Sequence, residues 1–302
     1  MRIAAIDIGS NAIRLQVSTI LRYNERDTLK SLEYVRFPLR LGQDVFSGGY
    51  ILPETEEKFI RLMGAFKTLL DLYEVAGFRV CATSAFREAE NGVKIATRTF
   101  EEIGLPLEII SGEEEANLVN RAIFKFLDEK TYLHIDVGGG STELNLYVQH
   151  QKIASESFQL GSVRNMKHAE FPEAWVKLEE WISTNISKEH QPVTAIGTGG
   201  NISKLFELSA TKNKKARSIN LGELSTVHFM VSRMSLEERI SQLMLNPDRA
   251  DVIVPASEIY LHVMQKSRAK KIIVPDLGLK DGILDTLYER LKDQIPHQNS
   301  IK

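Results

Sequence analysis

The sequence predicts an α/β protein of two domains built on one plan. A short motif carries most of this reading: an apolar strand, Asp-x-Gly with small polar residues, then an alternating strand, found at residues 3–17 and again at 133–148. In each region strand patterns come first and helical and strand patterns then alternate, which is the order of a mixed sheet covered by helices. A length of 302 residues suits about two domains. The two copies lie too far apart for a solenoid repeat, so each opens a domain of its own. The expected boundaries are 1–124 and 125–302, with the last helix free to pack back on the first domain.

In chain order, Ile3 to Ile8 and Ile13 to Val17 flank Asp7-x-Gly9-Ser10-Asn11 as a hairpin, and residues 30–41 supply a third strand. Arg40-Leu41-Gly42 opens a loop that runs through Gly48-Gly49. Pro53-Glu54-Thr55-Glu56-Glu57 is an acidic helix start, matched to the positive end of the helix dipole. Phe59, Leu62, Met63, Phe66, Leu69, Leu70 and Tyr73 recur at helical spacing, so this helix packs one face on a sheet until Gly77 stops it. Residues 79–82 form a fourth strand, 93–103 a helix closed by Gly104, and 107–110 a fifth strand. Ser111-Gly112-Glu113-Glu114-Glu115-Ala116 leads into a helix with Val119, Ala122, Ile123 and Phe126 on one face.

The second copy starts near Thr131 and its third strand runs over 152–160, ending in Leu160-Gly161-Ser162-Val163-Arg164. A helix over 175–186 follows, and residues 193–201 are a strand ending in another glycine loop, Gly197-Thr198-Gly199-Gly200-Asn201. Further helices include one capped by Ser235-Leu236-Glu237-Glu238. A late strand covers 271–276, a last helix covers 278–291, and the tail after Pro296 is expected to fray. Lys212, Lys214, Lys215 and Arg217 are expected in a solvated loop.

Composition narrows the class. The hydrophobic fraction of 43% and charged fraction of 26% are those of an ordinary globular protein. The single cysteine, Cys81, excludes an internal disulfide framework and is expected in the core. A strand at the very start leaves no room for a leader peptide, and no apolar run approaches the roughly 20 residues needed to span a bilayer. The expectation is therefore a cytoplasmic protein with no membrane partner. A net charge of −2 gives no overall footprint for nucleic acid, so a polyanion would have to be held by a local set of bases and amides.

Such a set is present at Asp136-Val137-Gly138-Gly139-Gly140-Ser141-Thr142-Glu143. Consecutive glycines let the backbone approach phosphate oxygens while N–H dipoles point outward. An Asp before the turn and a Glu after it repel phosphate unless a cation lies between, so they imply Mg²⁺ or proton transfer. A tight hairpin with a solvated acidic tip explains the same residues when one copy is taken alone. Two such loops can clamp a phosphate chain, which is a more specific arrangement.

Four motifs then stand in order: Asp7-x-Gly9-Ser10-Asn11, Thr83-Ser84-Ala85-x-Arg87-x-Ala89-x-Asn91, Ser111-Gly112-Glu113-Glu114-Glu115-Ala116 and Asp136-x-Gly138-Gly139-Gly140-Ser141-Thr142-Glu143. Together they resemble the exopolyphosphatase and guanosine pentaphosphate phosphohydrolase family (Ppx/GppA). The resemblance extends through Leu160-Gly161-Ser162-Val163-Arg164, Gly197-Thr198-Gly199-Gly200 and Arg249-Ala250-Asp251. It implies two ribonuclease-H-like domains of the actin, sugar-kinase and chaperone superfamily, an active site in an interdomain cleft, and Mg²⁺-dependent hydrolysis of a terminal phosphoanhydride; two domains clamping a ligand further predict hinge motion around 125–131 and at the last helix.

On that resemblance Glu115 takes the place of the catalytic base, while Glu113 and Glu114 remain acidic residues of a helix start. Asp136 and Glu143 match positions needed for activity and are assigned to Mg²⁺ or the attacking water. Asp7 is the corresponding metal candidate of the first copy. Ser10 and Asn11, with Gly138, Gly139, Gly140, Ser141 and Thr142, are expected to cradle phosphates, and Arg87 to bind phosphate oxygens through its guanidinium. Arg14 has two readings, a phosphate contact or a strand residue paired across the sheet. His134 is given no role beyond a half-buried strand position.

Larger members carry an added helical C-terminal domain, so action on long chains is in doubt here. Asn201 stands where Thr is common, and Pro255-Ala256-Ser257 where glycines are frequent. Inorganic polyphosphate is the leading substrate and guanosine pentaphosphate the alternative, since both present a terminal phosphate on an anhydride. A kinase or a non-catalytic sensor of the same superfamily stays open, although the acidic residues that hydrolysis needs are all present. A homodimer is also left open.

Overall fold

The computed structural model describes residues 1–23, 26–164 and 172–294; the expected frayed tail after Pro296 lies outside them. The chain divides into two compact units: Met1–Ala122 together with the segment that begins at Gly278, and Ile123–Leu277. The last helix thus belongs to the first unit, not to an uninterrupted second domain.

In unit 1 three antiparallel strands, β1 (Arg2–Ile8), β2 (Ile13–Tyr23) and β3 (Arg26–Phe37), are followed by α1 (Leu41–Gly48), α2 (Pro53–Leu72), β4 (Gly77–Ala82), α3 (Ser84–Glu88), α4 (Gly92–Ile103), β5 (Leu107–Ile109) and α5 (Gly112–Phe124). The sheet order is β3-β2-β1-β4-β5, with β4 and β5 parallel to β1. Ala4, Ile6 and Ile8 alternate onto one face and join Phe59, Met63, Phe66, Phe86 and Ile95 in a single core. Asp7, between them in sequence, is turned to the opposite face.

The stretch 41–48, expected as a loop, is a helix. Its two glycines lower helix propensity, but Gly42 is demanded by packing, since a Cβ there would lie 2.9 Å from the Ser10 Cβ. Helix α2 stops at Leu72, before Gly77, because Glu74 turns into the left-handed region at φ 48°.

Unit 2 repeats the plan with β6 (Thr131–Val137), β7 (Thr142–Val148), β8 (Gln151–Phe158), α6 (Pro172–Asn185), β9 (Val193–Thr198), α7 (Gly200–Leu208), β10 (Ser218–Asn220), α8 (Leu221–Arg233), α9 (Leu236–Ser241), α10 (Pro247–Ala250), α11 (Ile253–Ser267) and β11 (Lys271–Ile273). Its sheet runs β10-β11-β9-β6-β7-β8, the order of the first sheet with β10 added at the edge. Leu133, Ile135 and Val137 face a core shared with Ile202, Ile259, Tyr260 and Val263. The expected solvated basic loop is partly anchored: the Lys212 ammonium donates to the Glu207 and Ser209 carbonyls, and the Arg217 guanidinium lies 5.2 Å from the Phe206 ring centroid.

The final helix, α12 (Leu279–Leu291), packs on β1, β2 and β4 within unit 1. It meets α5 at Gly282, where an added Cβ would lie 1.9 Å from the Leu118 carbonyl oxygen. Its Tyr288 hydroxyl donates to Asp27 at 2.8 Å, and Asp27 also pairs with Arg22. Those two partners hold the Asp27 carboxyl at about 2.

Candidate active site

Both hairpin turns close the same way. The Gly9 amide donates to the Ala12 carbonyl at 3.2 Å, and the Gly138 amide to the Ser141 carbonyl at 2.9 Å. Strand register then places Asp7 opposite Arg14 and Asp136 opposite Glu143. Directly opposed side chains on one sheet face interact, so this single difference sets the electrostatics of each turn. In unit 1 the Arg14 guanidinium donates to the Asp7 carboxylate at 2.8 Å. This is the cross-sheet pairing open to Arg14 from the sequence, and it supplies Asp7 with a protein cation. In unit 2 the same two positions carry two carboxylates that face one another.

Around the first turn, the Gly42 and Arg40 amides donate to the Ser10 and Asn11 carbonyls at 2.8 and 3.0 Å. The buried Ser10 and Ser84 hydroxyls lie 2.7 Å apart, which ties the turn to the start of α3. Arg87, on the last turn of α3, donates through Nη1 to the Ile110 carbonyl and to Glu115 Oε2, each at 2.9 Å. The pair keeps modest access to solvent, with side-chain exposures of 23% and 20%. Ser10, Arg87 and Glu115 are therefore linked within unit 1 through α3. Glu114 turns away to Arg79, which also binds Glu108. Its role is structural, in keeping with the expectation for a helix start.

Around the second turn, the carbonyls of the glycine run are all held from one side. Ser162 N donates to Gly138 O, Val163 N and Arg164 N to Gly139 O, and Arg164 Nε to Gly140 O at 2.7 Å. Gly161 permits this approach: a Cβ there would sit 2.4 Å from the Gly139 oxygen. With the carbonyls engaged, two amides are left for another acceptor: among the described residues, those of Gly139 and Gly140 donate no hydrogen bond. Thr142, expected among the phosphate contacts, is fully buried and its hydroxyl donates to the Leu160 carbonyl.

Glu143 is buried, and its Oε1 accepts from the Ser141 hydroxyl at 2.6 Å and the Ser157 hydroxyl at 2.9 Å. Two donors on one oxygen fix the carboxylate plane. Asp136 leans toward the α7 turn, where its Oδ1 is 3.2 Å from the position of a Cβ on Gly199. One pleat away on the same face lies a buried polar row. The Ser155 hydroxyl donates to Asn145 Oδ1, the Asn145 amide donates to His134 Nδ1, and His134 Nε2–H donates to the Thr198 hydroxyl. His134 is thus fully buried, not half-buried, and burial pushes its imidazole down to about 3.

The donor set suits Mg²⁺. Among the described residues no three His, Cys, Asp or Glu side chains form a closed metal cage. Mg²⁺ does not require one, because it is commonly held by one or two carboxylates with water and phosphate oxygens completing the octahedron. Asp136 and Glu143 meet that requirement. Asp7 can do so only by sharing its carboxylate with Arg14.

Sequence reasoning assigned no role to Ser157, Ser162 or Arg164. Arg164 and Ser162 stand in a motif it quoted, which was the available signal. Ser157 gave none, because an isolated serine on an edge strand looks like any polar surface position.

Comparison with known proteins places the chain among phosphatases. The model of the Ppx/GppA phosphatase family matches residues 20–291. A bifunctional 3-dehydroquinate synthase/phosphatase of Fusobacterium nucleatum is 24% identical over 96% of this chain, and the chain spans about half, 47%, of that longer protein. Exopolyphosphatase 2 of Mycobacterium tuberculosis is 26% identical over 93% of this chain and 97% of its own length. The crystal structure of the Aquifex aeolicus member of the Ppx/GppA family superposes with a TM-score of 0.74 at 27% identity, covering 98% of this chain and 99% of that one. Among the described residues no helix is long and apolar enough to cross a membrane.

Proposed function

The chain belongs to the Ppx/GppA phosphatase family, and from that premise we propose that it is an exopolyphosphatase, removing orthophosphate from the end of inorganic polyphosphate with the help of Mg²⁺. The observation that carries this reading is the opposed pair Asp136 and Glu143 beneath a turn whose carbonyls are engaged and whose Gly139 and Gly140 amides are left to donate. A polyphosphate end offers what each part needs, oxygens for the amides and shared negative charge for a cation between the carboxylates. Mg²⁺, when bound, would neutralise the charge on the phosphoryl oxygens.

Asp136 and Glu143 would hold that ion, and the hydroxyls of Ser141 and Ser157 keep Glu143 in one orientation. Glu115 is the proposed base, taking a proton from the attacking water. In the free protein its Oε2 is bonded to Arg87. That bond occupies the oxygen that would take the proton. A phosphate that draws Arg87 toward itself would relieve that pairing, so substrate binding and activation of Glu115 are linked through one arginine.

The test is phosphate release with Mg²⁺ from long polyphosphate, short polyphosphate and guanosine pentaphosphate. Greater kcat/KM on polyphosphate of either length supports the proposal. Faster turnover of guanosine pentaphosphate transfers the same chemistry to a nucleotide, and release from none of the three, with folded protein, removes the hydrolase reading.

A further inference from the structure

Two strand ends meet beside the first turn. Strand β1 has an antiparallel neighbour, β2, on one side and a parallel neighbour, β4, on the other. Crevices at the carboxyl ends of parallel strands, where the strand order changes direction, are where α/β sheets admit ligands. Ser10 follows the end of β1, and Thr83 and Ser84 follow the end of β4. All three are buried, with exposures of 4% for Ser10 and Thr83 and 6% for Ser84. The Thr83 amide and hydroxyl both donate to the Ile8 carbonyl, at 3.1 and 3.3 Å, which ties the two ends together.

The three hydroxyls differ in where their protons go. That of Thr83 has its acceptor. The Ser10 and Ser84 oxygens lie 2.7 Å apart, and a contact between two hydroxyls uses one of their two protons. The second proton meets no acceptor among the described residues. A donor nearly shut away from solvent costs free energy when it goes unmet, so this proton points to a ligand that brings an acceptor oxygen.

Packing decides which serine carries the proton outward. Ser10 is hemmed in by α1: its carbonyl accepts from the Gly42 amide at 2.8 Å, and a Cβ on Gly42 would come within 2.9 Å of its own. Ser84 opens α3, and Arg87 stands three residues on in the same turn, which the Arg87 amide closes on the Thr83 carbonyl at 3.0 Å. Residues three apart on a helix are surface neighbours, so the Ser84 hydroxyl and the Arg87 guanidinium serve one side of α3. A hydroxyl that accepts a hydrogen bond also becomes a stronger donor.

We infer that Ser10 donates to Ser84, and that Ser84 donates its own proton to a phosphate oxygen of the substrate beside the Arg87 guanidinium. Ser84 is then a substrate contact. Ser10 is a positioning residue that acts through it, in place of the direct phosphate contact expected from the sequence. The inference rests on the phosphate role given to Arg87 above.

The experiment measures inorganic phosphate binding by calorimetry, and kcat and KM for phosphate release from polyphosphate, in the full chain and in S84A, S10A, S10A/S84A and T99V. S84A should raise the phosphate Kd and the KM about tenfold, the cost of one hydrogen bond to a charged acceptor. It should leave kcat within about twofold, because the contact is made in ground and transition states alike. S10A should raise both constants by less than S84A. The double variant should match S84A, since the proton that Ser10 directs is already gone. T99V removes another fully buried hydroxyl of unit 1, one that donates to the Ile95 carbonyl, and should leave both constants at their wild-type values.

S84C fills nearly the same space with a weak donor and replaces S84A should that variant fail to fold; its phosphate Kd and KM should rise as well. An unchanged phosphate Kd and KM in folded S84A or S84C overturns the proposal, the spare proton then being met by water. So does an equal rise in S84A and T99V, which would assign the effect to the core in general. Losses in S10A and S84A that multiply in the double variant overturn it too, because each serine would then hold phosphate by itself. The test also separates the two levels. If the wild type binds phosphate, and S84A binds it more weakly, but neither releases any from polyphosphate, the hydrolase reading falls and the subsite stands. If the wild type releases phosphate and S84A matches it, the subsite alone is lost. Neither binding nor release in the wild type removes both.

Discussion

At the scale of single residues, Glu115 and Arg87 behave as one unit, joined by a 2.9 Å bond. E115Q keeps the shape and removes the base, and it should lower kcat by about 10²–10⁴-fold with little change in KM. R87A should raise KM, because it removes the cation proposed for phosphate while leaving Glu115 free of its partner. Steady-state phosphate release distinguishes the two, and equal effects on KM from both variants would contradict the division of roles. His134 makes a prediction about stability. Its imidazole is held near 3 in the folded chain and would titrate near 6.5 unfolded, so unfolding takes up a proton between those values. Stability should therefore fall as pH drops below 6.5, by up to about 1.4 kcal/mol per pH unit from this group. Denaturant midpoints in H134Q should show a flatter decline between pH 6.5 and 5 than the wild type, and an identical decline would remove His134 as the cause.

At the scale of elements, the two turns are held by the segments that follow their third strands, residues 39–42 in unit 1 and 160–164 in unit 2. Gly161 is the closest contact in the second, and G161A would drive a methyl into the Gly139 peptide. Overpacking of this kind costs about 1–3 kcal/mol; here it should also displace the glycine amides. A lower melting temperature together with loss of phosphate release is expected, and full activity in G161A would show that the turn does not need this support. Most of these elements were legible in the sequence because strand alternation and glycine turns are local signals. The helix at 41–48 was not, since Gly42 answers to Ser10, a residue distant in sequence. Strand β10 was missed because three residues just after a basic run carry no period. The link from Ser84 to Ser10 was not legible either, because the two serines lie 74 residues apart and only the pairing of β1 with β4 brings them together.

At the scale of the whole molecule, one plan has been used twice and charged differently. The strand orders correspond, the turns close with the same hydrogen bond, and the residue opposite the repeated aspartate is Arg14 in one unit and Glu143 in the other. The repetition could be read from two Asp-x-Gly motifs. The difference in charge could not, because it depends on strand register, which only the fold supplies. If hydrolysis needs both sets of groups, removing the second should add little once the first is gone. The double variant E115Q/E143Q is then expected to be no slower than the slower single variant, and fully multiplicative losses would mean that the two sets act in separate steps. The most direct measurement of the central claim is the rate of orthophosphate release from polyphosphate by wild type and E143Q, each across a Mg²⁺ titration. The account predicts release by the wild type that rises and saturates with Mg²⁺, and in E143Q a rate lower by at least about tenfold with saturation displaced to higher Mg²⁺. Wild-type release that proceeds equally well in the presence of a chelator, or an E143Q curve that overlays the wild type, would contradict it.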